Sequence, residues 1–136
     1  MLIQEDHEDS PFLLRSYTPA TAEKPGCLVI SNQNYHNPII LYANIQQIPN
    51  QIHPWSVRSA EQLSIDDAKD LCEGLKNSSG ILLLGTGPRF IIPPASFRDA
   101  VQASNIGMEF MDTAAACRSF IALMAEGRQV IAALIL

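Results

Sequence analysis

Gly80-Ile81-Leu82-Leu83-Leu84-Gly85-Thr86-Gly87-Pro88-Arg89 decides how the rest of the chain is read. Four aliphatic residues run into a glycine turn that ends on a cation. The run is too short for a free-standing helix and reads as a strand buried on both faces, as in parallel sheets covered by helices. In open α/β sheets, clefts form beyond the carboxyl ends of such strands, where glycines let backbone N–H groups approach a bound group closely. Gly85, Thr86 and Gly87, with Arg89 behind them, are therefore the first candidate ligand-binding element.

Working outward toward the C-terminus, strand and helix alternate. Pro93-Pro94 opens a helix, because proline is accepted in a first turn, and Phe97, Ala100, Val101 and Ser104 give that helix one buried stripe. Met108 to Met111 is the next strand, and Asp112-Thr113 starts a third helix reaching about Glu126. That helix is apolar nearly all round, from Ala114 to Ala125, and is expected to be covered on more than one side. Gly127 supplies a left-handed C-terminal residue, and Gln129 to Leu136 finishes as an interior strand.

On the N-terminal side, Ser64 reads as the cap of a first helix. Asp66 and Asp67 complement its positive end, Leu63 and Ala68 form a staple, and Ala68, Leu71, Cys72 and Leu75 face the sheet. Trp55 to Val57 is expected as a short strand. Cys27–Ser31 and Pro38–Tyr42 read as two arms of a hairpin around Asn32 to Asn37, and Phe12 to Tyr17 as the first strand. The fold class is therefore α/β: three layers, with a central mixed, mostly parallel sheet, flanking helices and additional N-terminal antiparallel β-structure.

Composition sets the bounds. The 136 residues suit one domain, expected over residues 11–136 and preceded by a disordered acidic tail at residues 1–10 that carries Glu5, Asp6, Glu8 and Asp9. With 47% hydrophobic and 17% charged residues, the chain has apolar surface to spare for a partner, and a homo-oligomer is expected, a dimer above all. A net charge of −5 without any Lys/Arg cluster argues against nucleic acid. No secretory signal or membrane-spanning stretch is evident, so no membrane insertion is expected and the expected address is a bacterial cytoplasm. Cys27, Cys72 and Cys117 stand 45 residues apart without a CxxC, and His7, His36 and His53 have no ligand spacing. No metal, disulfide or cofactor is expected.

Gly85-Thr86-Gly87 after an aliphatic strand, Glu109-Phe110-Met111-Asp112-Thr113, Ala115-Ala116-Cys117-Arg118 and Glu126-Gly127-Arg128 together resemble one small α/β family. It comprises uncharacterised bacterial and archaeal proteins, and its eukaryotic relatives are a mitochondrial complex I assembly factor and the adipogenesis-associated domain proteins. The resemblance covers about residues 12–136. It implies a three-layer fold with the last strand inside the sheet, and an assembly role only for the mitochondrial branch.

The glycine turn fails both phosphate-loop patterns: it lacks Gly-Lys-Ser/Thr, and Phe90 stands where a dinucleotide fingerprint needs a third glycine. What survives is a small-anion site, with Gly85, Thr86 and Gly87 donating and Arg89 as counter-charge. The plainer reading is a sharp turn with a solvated arginine. Asp112 and Thr113 cap the third helix, and parallel strands would bring them to the same edge. Arg118 is placed to lean over that edge, Trp55 to line it. Glu109, a carboxylate within an apolar strand, is expected to pair with Arg118 or Arg128, or else to act as a perturbed acid or base. No catalytic residue is assigned. The leading reading is a non-catalytic interaction or assembly module with an unknown protein partner; the alternative is an enzyme or small-anion binder using the Gly85–Gly87 and Asp112–Thr113 loops.

Overall fold

The structure, a computed structural model, describes residues 13–46, 48–76 and 78–136. The expected acidic tail lies outside them. The strands are β1 (Leu14–Thr18), β2 (Cys27–Ile30), β3 (Gln33–Tyr35), β4 (Ile39–Ala43), β5 (Gln51–Pro54), β6 (Ile81–Thr86), β7 (Gly107–Met111) and β8 (Val130–Ile135). The helices are α1 (Ile65–Glu73), α2 (Ala95–Ala103) and α3 (Thr113–Ala125).

A five-stranded sheet, ordered β5-β4-β8-β6-β7, carries the fold. β6 pairs in parallel with both β7 and β8, while β4 runs antiparallel to β8 and β5. The central strands are buried on both faces, and their side chains alternate between two cores. Leu82, Leu84, Ile131, Ala133 and Ile135 face Leu71, Leu75, Phe97 and Val101 of the α1/α2 layer. Leu83, Val130, Ala132 and Leu134 face Ala116, Cys117 and Phe120 of α3 and Leu28 and Ile30 of β2. The three layers are thus α1/α2, the mixed sheet, and α3 beside a small antiparallel sheet ordered β1-β2-β3.

Local signals set the helix ends. Ser64 Oγ accepts from the Asp67 N–H at 3.2 Å while Asp67 Oδ2 accepts from the Ser64 N–H at 2.9 Å, a complete capping box. Pro94 precedes α2. Gly127, at φ +72°, ends α3 with its N–H on the Met124 carbonyl and the Arg128 N–H on the Leu123 carbonyl, the paired bonds of a Schellman motif.

Several expectations need correction. Cys27–Ile30 does form a hairpin, but with Gln33–Tyr35, inside the stretch read as the turn. Ile39–Ala43 leaves for the larger sheet, where β8 from the far end of the chain gives its apolar residues a better-buried partner. The strand read at Trp55–Val57 lies just upstream, at Gln51–Pro54; Trp55 and Val57 are buried without strand pairing. Ser104 is exposed rather than part of the α2 stripe. α3 buries Thr113, Ala116, Cys117 and Phe120 on one face, whereas Ile121 is half exposed. Alanine makes a helix look more apolar than the area it has to hide, so α3 needs less cover than its composition implies.

Candidate functional site

Parallel pairing brings the ends of β6, β7 and β8 to one edge. Gly85 is level with Leu134 and Met111, and Thr86 with Ile135. Beyond Thr86 the chain turns at Gly87, whose φ of +106° is open to glycine but strained for other residues. There the polar groups engage one another. The Gly87 N–H donates to Thr113 Oγ1 at 2.8 Å, the Thr113 N–H donates to the Gly87 carbonyl at 2.9 Å, and the Thr113 hydroxyl donates to the Ile135 carbonyl. Thr86 Oγ1 donates to the Arg89 carbonyl at 2.7 Å and accepts from the Ile91 N–H at 3.2 Å. Thr113 is fully buried and Thr86 nearly so.

The glycine at 85 serves this interlock. A Cβ there would lie 2.7 Å from Thr113 Oγ1 and 3.2 Å from Thr113 Cα, so its absence lets the start of α3 sit directly on β6. Asp112 caps the same helix through Oδ1, which accepts from the Ala115 N–H at 2.8 Å. Gly85, Thr86, Gly87, Asp112 and Thr113 are therefore brought together by contacts among themselves.

The other site candidates are placed apart. Trp55 is buried in the α1/α2-side core, its backbone N–H donating to the Pro38 carbonyl at 2.9 Å. Arg89 is exposed at the rim of the turn, and Arg118 on the outer side of α3. Glu109 is exposed because β7 is the edge strand, which removes the reason to expect a buried partner for it. Among the described residues the ion pair of Arg128 is with Glu126, at 3.7 Å and on the surface.

Two features carried no clear signal in the sequence. Under α3, the Tyr17 hydroxyl is buried, with no well-formed hydrogen bond among the described residues; the Thr113 hydroxyl near it is spent on the Ile135 carbonyl. Burial pushes its phenol up to about 12, with Cys117 and Asp112 adding to the rise and Thr113 opposing it. Burial also pushes the Cys117 thiol up to about 11, against the pull of Arg118. Both groups stay protonated at neutral pH, so Cys117 is no thiolate nucleophile. The second feature is apolar. Phe90 and Ile92 are 56% and 59% exposed, and the Phe90 ring stacks on Phe110 of β7 with centroids 5.9 Å apart and planes at 11°. Three consecutive large apolar residues, Phe90, Ile91 and Ile92, between a glycine turn and Pro93-Pro94 and outside any helix or strand stripe, are the available hint. Beside them a groove of about 500 Å³ runs between α2 and β7.

The chain matches, over residues 20–135, the family described as a protein of unknown function, DUF498/DUF598, and it belongs to that family. It is 24% identical over 130 residues to a Francisella tularensis protein named 13 kDa major membrane protein, covering 96% of this chain and 95% of that one. It is 30% identical over 102 residues to the Drosophila melanogaster NADH dehydrogenase [ubiquinone] 1 alpha subcomplex assembly factor 3, covering 74% of this chain but 52%, about half, of that protein. Among solved structures, a Xanthomonas campestris protein is similar at 27% identity, with 99% and 92% of the two chains covered and a TM-score of 0.73. A Bordetella pertussis protein described as an Mth938-like domain is similar at 25% identity, 88% and 85% coverage and a TM-score of 0.62. A Bartonella henselae protein described as an outer membrane protein is similar at 25% identity, 95% and 98% coverage and a TM-score of 0.69. Among the described residues of this chain, no helix is long and apolar enough to cross a membrane.

Proposed function

We propose that this DUF498/DUF598 member is a non-catalytic protein-interaction module whose contact surface is the rim formed by Phe90, Ile92 and Phe110. The observation that carries the reading is that exposed Phe90, next to exposed Ile92, stacks on the half-buried ring of Phe110. Large apolar side chains grouped on a surface mark contact sites, and aromatic residues contribute most to the energy of such contacts. The similarity to an assembly factor, a protein named for helping a larger complex form, supports it.

The rival is a small-anion or enzyme site at Gly85–Gly87 and Asp112–Thr113 with Arg89. What weighs against it is that the Gly87 N–H and both threonine hydroxyls already have partners within the fold, so an incoming anion would have to displace them. Self-association, where it occurs, we assign to the exposed side of α3 around Ile121. A cytoplasmic address belongs to the same reading; cell fractionation checks it against the membrane names of two relatives.

A photo-crosslinking residue placed at position 92 of the full chain, in cells of the source organism, tests the reading. A discrete protein adduct is expected from position 92 and not from exposed position 24, and it should vanish when Phe90→Ser is added to a chain that still melts normally. Equal, diffuse labelling from both positions would overturn it.

A further inference from the structure

The rim continues into a sheet edge of particular chemistry. Among the described residues β7 has a neighbour on one side only, so alternate backbone N–H and C=O groups face outward, unused by the sheet. Met108 and Phe110 pack toward the α1/α2 side, and Glu109 points to the opposite face. On the Met108 side, the groove is lined by Val101, Ile106, Met108 and Phe110, with Gln102 and Asn105 as neutral polar groups and Arg98 as the charged one. Arg98 Nε donates to the Pro93 carbonyl at 3.0 Å, which fixes the guanidinium at the end of α2 nearest the rim. No carboxylate lies within ion-pairing distance of it among the described residues. An open strand edge, an apolar floor and one held, unneutralised cation thus lie side by side.

Resting on the interaction-module reading, we propose that β7 takes up an extended segment of another protein as a sixth strand, with an aspartate or glutamate of that segment paired with Arg98. Main-chain bonds to an edge supply affinity in such additions, and side chains on one face supply selectivity. The groove offers both: the apolar floor for alternate side chains of the segment, and a guanidinium able to bind a carboxylate through two parallel hydrogen bonds. A second copy of this chain fits less well. An antiparallel pairing of two β7 strands over their full length, Gly107 to Met111, sets Glu109 opposite Glu109 of the other copy, and like charges directly opposed are destabilising.

Random heptapeptides displayed on phage and selected on the full chain test the proposal. Enriched peptides should alternate apolar residues with one Asp or Glu at a fixed position, and a synthetic copy should shift the amide resonances of residues 107–111. Arg98→Gln should weaken that peptide at least tenfold. Arg98→Glu, shown folded by circular dichroism, should return Lys or Arg at the same position on reselection, and Lys24→Glu, at an exposed cation that does not line the groove, should leave the acidic preference intact. Absence of enrichment, peptides without a carboxylate, or an unchanged preference in Arg98→Glu would each overturn it. Peptides that need Phe90 and Ile92 but ignore β7 and Arg98 would remove the added strand and leave the interaction module standing.

Discussion

The carboxyl ends of β6 and β8 and the carboxyl end of β7 are neighbours in one sheet, yet they are finished in opposite ways. Over β6 and β8, the Gly87 N–H and the hydroxyls of Thr86 and Thr113 are engaged with Thr113, Arg89, Ile91 and Ile135, and the threonines are buried. One strand further out, Phe90 and Ile92 face solvent, and among the described residues the edge is unpaired and Arg98 has no carboxylate. A glycine-rich turn at a strand end is therefore not by itself a site. Here its glycines let a helix close on the sheet, and the surface proposed for another molecule is the plainer strand beside it.

The sharpest way to break this contrast is Thr113→Val, which keeps the shape of the side chain but strands the buried Gly87 N–H and Ile135 carbonyl. Two orphaned groups should cost about 2–5 kcal/mol in urea unfolding. A loss below about 0.5 kcal/mol would mean that the turn is not held by Thr113. Gly85→Ala follows, since its Cβ meets Thr113 and Leu134 at 2.7 and 3.0 Å. With backbone Thr113 Cα also in the way, an overpacking loss of about 1–3 kcal/mol is expected, and an unchanged melting temperature would show that α3 does not sit tightly on β6.

Alkaline pH probes the buried side from beneath α3. Tyr17 and Cys117 keep their protons in the folded state to about 12 and about 11, whereas the unfolded chain releases them near 10.0 and 9.0. The unfolded state therefore binds fewer protons, and the stability these groups contribute is whole below about pH 9 and drains away between about pH 9 and 12. Tyr17→Phe should remove the upper part of that loss while changing stability at pH 7 by less than about 1 kcal/mol, because the hydroxyl it deletes makes no well-formed hydrogen bond among the described residues. A steeper alkaline loss in the variant would contradict the burial assigned to this phenol. Smallest of all on stability is Phe90→Ser with Ile92→Ser, expected within about 0.5 kcal/mol because both side chains are mostly exposed. A cooperative loss of several kcal/mol there would make the rim part of the core.

What the sequence revealed divides along similar lines. Ser64 with Asp67, Pro93-Pro94 before α2, Asp112 before α3 and Gly127 after it are local devices, and each does locally what its residue type suggests. The aliphatic runs of β6 and β8 could be read as interior strands because both faces are apolar. Pairing was another matter. Pro38–Tyr42 reads as the partner of Cys27–Ser31 by proximity and turn chemistry, while the strand that forms there, Ile39–Ala43, pairs with β5 and with β8 from the end of the chain. Glu109 looked trapped because nothing in Met108 to Met111 says that the strand lies at an edge. Gly85-Thr86-Gly87 and Asp112-Thr113 were correctly expected to share an edge, but their use of one another is a tertiary fact without a local signature.

Amide hydrogen exchange on the full chain tests the contrast most directly. The Gly87 and Thr113 amides, held in the interlock, should exchange only through global unfolding, with opening free energies that fall in parallel with overall stability as urea is added. The outward-facing amides of β7 should exchange orders of magnitude faster under the same conditions. If Gly87 and Thr113 exchange as fast as the β7 edge, the turn opens on its own in the native protein, and the claim that it is sealed structure rather than a site is contradicted.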